Sequence, residues 1–238
     1  MTDVASRFAG QQMNYSVYVN AGVVLLLSQT LSPARKKDVL DTIAFATLAA
    51  DEETCEESHH SQWFAIQSEV LSACGWSLYA HQETEEPPGP TEVSVSGREA
   101  LVALANSSLV EGQAQLISQA LDKVAQASLK GELTHRLRHY CLAGKAGNGW
   151  LRAMAGIVEE GGFLSMVCVS FRLHGVVNQC YFERDVAWVK PDGGISRRVY
   201  SARFNHGQYD EFRTDTVEWL AAEPLRPCVE IGVLPANA

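Results

Sequence analysis

The spacing of apolar positions changes character near residue 145. Before it, apolar residues recur at helical intervals. After it come short β-type runs at 163–173, 180–189 and 195–204, split by Gly-rich turns. Helices first and strands later predict an α+β fold. An N-terminal helical layer is expected to pack on a C-terminal antiparallel β-sheet, a meander closed by one late helix.

Residues 1–14 are polar and mixed, a loose arm. The first predicted helix, 15–31, is apolar almost all round: Val17, Val19, Ala21, Val23, Val24, Leu25, Leu26 and Leu27. Such a helix must be covered by a core, a partner or a membrane. Ser32 and Pro33 form a helix start, Ser as N-cap and Pro at the first helical position. The helix that follows carries Val39, Leu40, Ile43, Ala44 and Thr47 on one face. A third helix, 61–74, has Trp63, Ile66, Val70 and Cys74 as one stripe. Gly75 suits the left-handed position that ends it.

Residues 76–81 fit a short strand. The stretch ETEEPPGP at 83–90 excludes helix and strand ladder alike. A linker over 83–92 therefore separates a helical part, 15–82, from 93–238, and the two are expected to form one compact unit. Ser96 caps a helix over 97–107, and another follows over 112–129 with Leu116, Ile117, Leu121 and Val124 inward. Gly131 breaks the pattern before a shorter helix at 132–142, and KAGNG at 145–149 reads as a loop.

The first strand of the meander is 150–158, turning at EEGG into 163–173, which is apolar on both alternating faces and so reads as an inner strand. Asp192-Gly193 reads as a two-residue hairpin turn joining 180–189 to 195–204. That register sets Trp188 opposite Arg197, Val186 opposite Val199 and Asp185 across from Tyr200. A helix over 209–222 places Phe212, Val217 (or Thr216) and Leu220 on one side, Pro224 and Pro227 stop it, and 228–234 is a terminal strand.

Three segments together resemble a family of uncharacterised microbial proteins with a helix-plus-β-meander pattern. They are Asp38-Val39-Leu40 with Leu48-Ala49-Ala50; Trp63 through Val70-Leu71 to Gly75-Trp76; and 162–173 leading into the meander and the helix with Tyr209, Arg213, Val217 and Leu220. The resemblance would cover most of residues 25–222. It implies no particular activity and carries over no catalytic residue. In the members it resembles, the segment matching 51–60 is basic or mixed, whereas this chain reads DEETCEESHH there.

Composition narrows the picture. A chain of 238 residues with 46% hydrophobic content can bury a substantial core in one large domain or two small ones. With 20% charged residues, wholesale disorder is not expected. A net charge of −9 repels phosphate, so nucleic acid is not an expected partner. The apolar run at 21–27 falls far short of the roughly 20 residues a spanning helix needs. It also follows no basic n-region and precedes no clean cleavage site. The expectation is a cytoplasmic protein, or one exported without a classical signal peptide. The six cysteines form no C-x-x-C pair and read as free thiols.

Four groups carry chemistry that function could use. The acidic run 51–60 holds carboxylates, Cys55, His59 and His60, but its spacing matches no metal site and it reads as a solvated loop. His135 and His139 sit i, i+4 on one helix face, lacking the Glu of H-E-x-x-H, and a basic helix end is the simpler reading. Arg172, Arg184, Arg197, Arg198 and Arg203, with Trp188, crowd the predicted meander and could grip anionic groups; a mixed-charge solvent face is the simpler reading. Gly144, Gly147 and Gly149 match no phosphate loop, and no G-x-S-x-G elbow is present.

These patterns favour a non-enzymatic, toxin-like effector or interaction protein that engages a membrane surface or a protein partner through the apolar first segment and the arginine-bearing sheet. No metal or cofactor is expected. The alternative is a hydrolase or transferase with Cys141, Cys168 or Cys180 as nucleophile and His135, His139 or His174 as base.

Overall fold

In the first apolar segment, Val, Tyr and Leu crowd both sides of the chain, and it folds as a β-hairpin instead of the expected helix. Strand β1 (Asn14–Asn20) pairs antiparallel with β2 (Val23–Ser28), with Asn20 opposite Val23. Between them Ala21 (φ 46°) and Gly22 (φ 80°) make a two-residue turn with both φ positive, the geometry that matches the twist of paired strands. Every residue of β2 is buried. A strand covered on both faces and a helix covered all round give the same unbroken apolar run. The β-branched Val17, Val19, Val23 and Val24 favour the strand.

The computed structural model describes residues 14–54, 60–86, 94–128, 131–145, 147–175, 187–188, 194–223 and 228–235. The fold is α+β. After the hairpin come α1 (Pro33–Glu53), α2 (His60–Ala73), β3 (Trp76–Glu86), β4 (Ser94–Val95), α3 (Gly97–Ser108), α4 (Glu111–Ser128) and α5 (Glu132–Cys141). Then follow β5 (Leu142–Lys145), β6 (Gly147–Val158), β7 (Phe163–Gly175), β8 (Ala187–Trp188), β9 (Ile195–Phe204), α6 (His206–Tyr209), α7 (Arg213–Ala221) and β10 (Cys228–Pro235).

The main sheet runs β10-β1-β2-β6-β7-β9-β3, with β5 also paired to β6. It is mixed, not purely antiparallel, because β2 joins β6 in parallel. The early hairpin thus lies within the sheet that the late strands build, and helices cover both faces. On one face α3, α4 and α5 bury Leu101, Ile117, Leu121 and Leu137 against Val24, Leu26, Val167 and Phe171. On the other, α1 and α2 bury Val39, Ile43, Trp63 and Leu71 against Leu25, Leu27, Met166 and Tyr200.

Local signals place most helix ends. Ser32 accepts from the Arg35 N–H at 3.3 Å and Ser96 from that of Glu99 at 3.3 Å. Gly75 (φ 92°) ends α2 and Gly131 (φ 86°) precedes α5. The inner-strand reading of 163–173 holds: β7 lies between β6 and β9.

Other expectations need correction. Strand β3 extends through 83–86, so the first part of the expected linker is paired with β9; 87–92 lie outside the described residues. The loop at 145–149 contributes instead to a tight β5–β6 pairing, Lys145 opposite Asn148. The 180–189/195–204 hairpin is not formed as registered. Arg197 pairs with Val169 and Thr84, because β7 and β3 occupy both edges of β9. Trp188 pairs with Ser94 in a separate two-stranded sheet. Val199 faces Val167 and Gln82, and Tyr200 faces Met166 and His81, leaving no edge for Val186 or Asp185, which with Asp192-Gly193 lie outside the described residues. The late helix is two pieces. Asn205 caps α6 through the Gly207 and Gln208 N–H groups, and Phe212 sits exposed at the start of α7, not inward. Thr216 is the buried residue of that turn.

Candidate functional site

The period of a strand separates the predicted arginines. Along β9 alternate residues are buried, so Arg198 points under α2 while Arg197 and Arg203 belong to the opposite face. Arg203 lies over the half-exposed Phe163 ring at 5.1 Å. Arg172 is opposite Trp150 on β7, Trp188 is in the small sheet, and Arg184 is outside the described residues. The described arginines therefore do not share one gripping surface; Arg198 joins a different cluster.

That cluster is built on two neighbouring rungs of the sheet. Arg152, Ser170 and Ser196 are cross-strand partners on β6, β7 and β9, and the next rung holds Met154, Cys168 and Arg198. Arg152 and Arg198 are 6% and 7% exposed, and both serines are fully buried. From α2, Trp63 covers the Arg152 guanidinium at 4.4 Å and Phe64 covers that of Arg198 at 4.4 Å. Each guanidinium also meets a carboxylate. Asp51, near the end of α1, accepts from Arg152 and from the Trp63 indole N–H at 2.7 Å. Glu83 on β3 accepts from Arg198 at 2.7 Å.

Burial pushes the Asp51 carboxyl up, against the opposing pull of Arg152 and the Trp63 hydrogen bond, and it draws the Arg152 guanidinium down against Asp51. Arg152 Nε, Arg198 Nε and the Ser170 and Ser196 hydroxyls find no acceptor or donor among the described residues. The arrangement fixes α1 and α2 to the sheet by ion pairs roofed with aromatic rings. Arg152 and Asp51 escaped the sequence reading as site residues. The available signal was a single Arg within the apolar run of β6; its partner lies 101 residues away.

The thiols and imidazoles are dispersed. Cys168 is fully buried, and burial pushes its thiol up to about 12, so at neutral pH it holds its proton beside Arg198. Cys141 is buried at the end of α5 and its Sγ donates to the Gly22 carbonyl at 3.3 Å. His135 and His139 share one face of α5 as their spacing implies, but that face is exposed. His174 is opposite Asn148 at the end of β7, and Cys180 is outside the described residues. In the acidic run, Asp51–Glu53 finish α1 and 55–59 are outside the described residues. Among the described residues no three His, Cys, Asp or Glu side chains cluster as metal ligands would. No helix there is long and apolar enough to cross a membrane.

No protein-family model matches the chain, and no curated protein matches it. Among solved structures it is similar to a delta-endotoxin, at 12% identity over 76% of this chain and 80% of that one, TM-score 0.44. It is also similar to the activated Cyt2Ba monomer of Bacillus thuringiensis subsp. israelensis, at 9% identity over 77% and 97%, TM-score 0.43. The Evf virulence factor matches at 9% identity over 91% and 87%, TM-score 0.37. These scores describe partial likeness of shape and carry no inference about activity.

Proposed function

We propose that the protein is a non-enzymatic, toxin-like effector that acts on lipid surfaces by uncovering one face of its sheet. The observation that carries this reading is the double-sided apolar character of the central strands. Val24, Leu26, Ala155, Ile157, Val167 and Val169 face one helical layer. Val23, Leu25, Leu27, Val158, Leu164 and Met166 face the other. If the α3–α4 layer departs, a continuous apolar surface is exposed, whereas the face under α1–α2 also carries Arg152, Arg198, Ser170 and Ser196; such an apolar surface needs a lipid or protein cover.

The two layers are held differently. The α1–α2 layer is pinned by directional contacts: Arg152–Asp51, the Trp76 indole to Thr42 at 3.0 Å, and the Asn20 amide to the Leu40 carbonyl at 2.7 Å. The α3–α4 pair meets the sheet mainly through the apolar stripe Leu101, Leu104, Ile117, Leu121 and Val124, with a hydrogen bond from the Gln113 amide of α4 to Glu159 beyond β6 at 2.8 Å. Non-directional contacts of this kind exchange readily for acyl chains, so α3–α4 is the layer expected to move. The net charge of −9 favours neutral over anionic lipid.

Vesicle flotation and dye release test the reading. The protein is expected to float with neutral vesicles and release their contents. Ile117→Val, which loosens α4 by about 0.5–1.5 kcal/mol, is expected to accelerate release by about twofold to tenfold. Retention on neither neutral nor anionic vesicles would overturn the reading.

A further inference from the structure

A second feature lies at the end of the sheet, where β9 passes into α6. A cleft of about 450 Å³ is lined there by Ser77, Arg203, Phe204, Asn205, His206 and Gly207. Strand pairing builds one wall. Phe163, Arg203 and Ser77 are cross-strand partners on β7, β9 and β3, so their side chains stand in one row on one face of the sheet. All three reach solvent.

Arg203 carries the charge of that row, and among the described residues no carboxylate pairs with it. Its partner is the Phe163 ring, 5.1 Å from the guanidinium carbon. Arg152, Arg198 and Arg213 differ, because each meets a carboxylate. A ring occupies one face of a guanidinium and leaves the N–H donors, which lie in its plane, open. Ser77 adds a hydroxyl from the neighbouring strand. The acceptors close by are already used. Asn205 Oδ1 takes the Gly207 and Gln208 N–H groups at 3.1 and 3.4 Å. Asp38 takes His206 Nδ1 at 3.2 Å and two Arg213 bonds of 3.0 and 2.8 Å. That leaves His206 its Nε2, a donor when the imidazole is charged. No carboxylate lines the cleft.

We propose that this cleft binds the phosphate group of a small ester. A cation is repelled by Arg203 and finds no open carboxylate there. An anion gains a charge-assisted, forked contact from the guanidinium. A carboxylate presents two oxygens in one plane. Here Arg203 and Ser77 reach in from the sheet and His206 from the chain beyond it, an arrangement that suits the several oxygens of a phosphate. The volume falls within the usual range of about 300–1,000 Å³ for small-molecule sites, more than a bare phosphate fills, so the ester carries a small organic group. The net charge of −9 opposes approach only weakly, because charges beyond about 8 Å are screened at physiological ionic strength. Such groups occur on free phosphate esters and on phospholipid headgroups. The proposal is separate from the lipid reading, because the binding it concerns needs neither a membrane nor a movement of α3–α4.

The test is a titration of the intact isotope-labelled protein with glycerol phosphate, followed by NMR at the Ser77, Asn205 and Gly207 backbone amides. Saturable shifts are expected, with none from glycerol and binding at least about tenfold weaker for acetate at equal ionic strength. Arg203→Gln is expected to weaken binding at least about tenfold. Arg203→Lys, which keeps the charge and loses the fork, is expected to weaken it about threefold to tenfold. Ser77→Ala is expected to weaken it about twofold to fivefold. Both positions are exposed, so these variants retain the fold. An absence of saturable shifts, an equal response to acetate, or affinity unchanged in Arg203→Gln would each overturn the proposal. Vesicles of phosphatidylcholine and of a galactolipid, both uncharged overall, distinguish the sources. Retention on phosphatidylcholine that Arg203→Gln lowers identifies the phosphate as lipid-borne. Glycerol phosphate binding with equal retention on both lipids identifies it as a free ester. Glycerol phosphate binding with no retention on any vesicle supports this site and overturns the lipid reading alone.

Discussion

Asp51 joins three elements at one carboxylate: its own helix α1, Trp63 of α2 and Arg152 of the sheet. The energetic consequence follows from burial. A guanidinium 6% exposed cannot be rehydrated if its partner is lost, and the converse holds for a carboxylate whose proton affinity burial already raises. Arg152→Ala is therefore expected to cost about 3 kcal/mol, the lower end for breaking a buried pair, because Asp51 keeps some contact with water. Replacing both partners, Arg152→Met with Asp51→Asn, is expected to recover most of that loss. Chemical denaturation of the two variants checks it. A double variant as unstable as the single one would show that the pair contributes packing alone. None of this could be read from the residues in isolation. Asp51 belongs to a run of acids that looks solvated, and its neighbours Glu52 and Glu53 are indeed exposed. What singles it out is the direction its Cα–Cβ bond takes on α1, and that depends on where α1 lies on the sheet.

Among elements, the opening hairpin shows how far periodicity reaches. Ser32-Pro33, Ser96, Gly75 and Gly131 mark helix ends through contacts within a few residues, so the sequence displays them directly. The hairpin is different. Its alternation is erased because both faces are covered, and the turn that defines it is Ala21-Gly22 in place of the usual Asn-Gly or Asp-Gly. Gly22 has two constraints at once: φ is 80°, and a Cβ there would meet Cys141 Sγ at 2.7 Å and Tyr140 Cβ at 3.0 Å. Gly22→Val is expected to cost about 2–4 kcal/mol, from backbone strain and overpacking together. Gly131→Ala shares the positive φ but meets nothing within 4 Å, so it is expected to lose only the strain, about 1–2 kcal/mol. Thermal denaturation of the two variants separates the terms. Equal losses would mean that the close approach of α5 to the turn contributes nothing.

At the scale of the whole molecule, burial of thiols and phenols also sets the response to alkali. Burial pushes the thiols of Cys168 and Cys228 up to about 12 and that of Cys74 up to about 11, from an ordinary value of 9.0. It raises the Tyr200 and Tyr209 hydroxyls in the same direction. Above about pH 9 the unfolded chain releases these protons while the folded one retains them, so stability falls as pH rises toward the folded-state values. Below about pH 9 these groups contribute no slope. Urea midpoints measured between about pH 8 and about pH 11 are expected to fall steadily, with less fall in Cys168→Ala. A flat profile would mean that these thiols are hydrated in the folded state. Burial also underlies the proposed action on lipid, because an apolar face hidden under a layer of helix is a surface held in reserve.

The chain's own pattern determined what depends on near neighbours: the α+β class, the capped helices from Ser32 and Ser96, the EEGG turn into the inner strand β7, and the terminal strand β10. Tertiary structure alone decided that residues 14–28 are strands within the late sheet, that Arg198 turns inward while Arg197 does not, that Arg152 finds Asp51, and that the Asn20 amide reaches the Leu40 carbonyl of α1. The reason is the range of the interactions. Caps and turns are settled by bonds spanning a few residues, whereas strand partnership, burial and ion pairing are settled by contacts between segments far apart in the chain, whose free energy does not exist until those segments have come together.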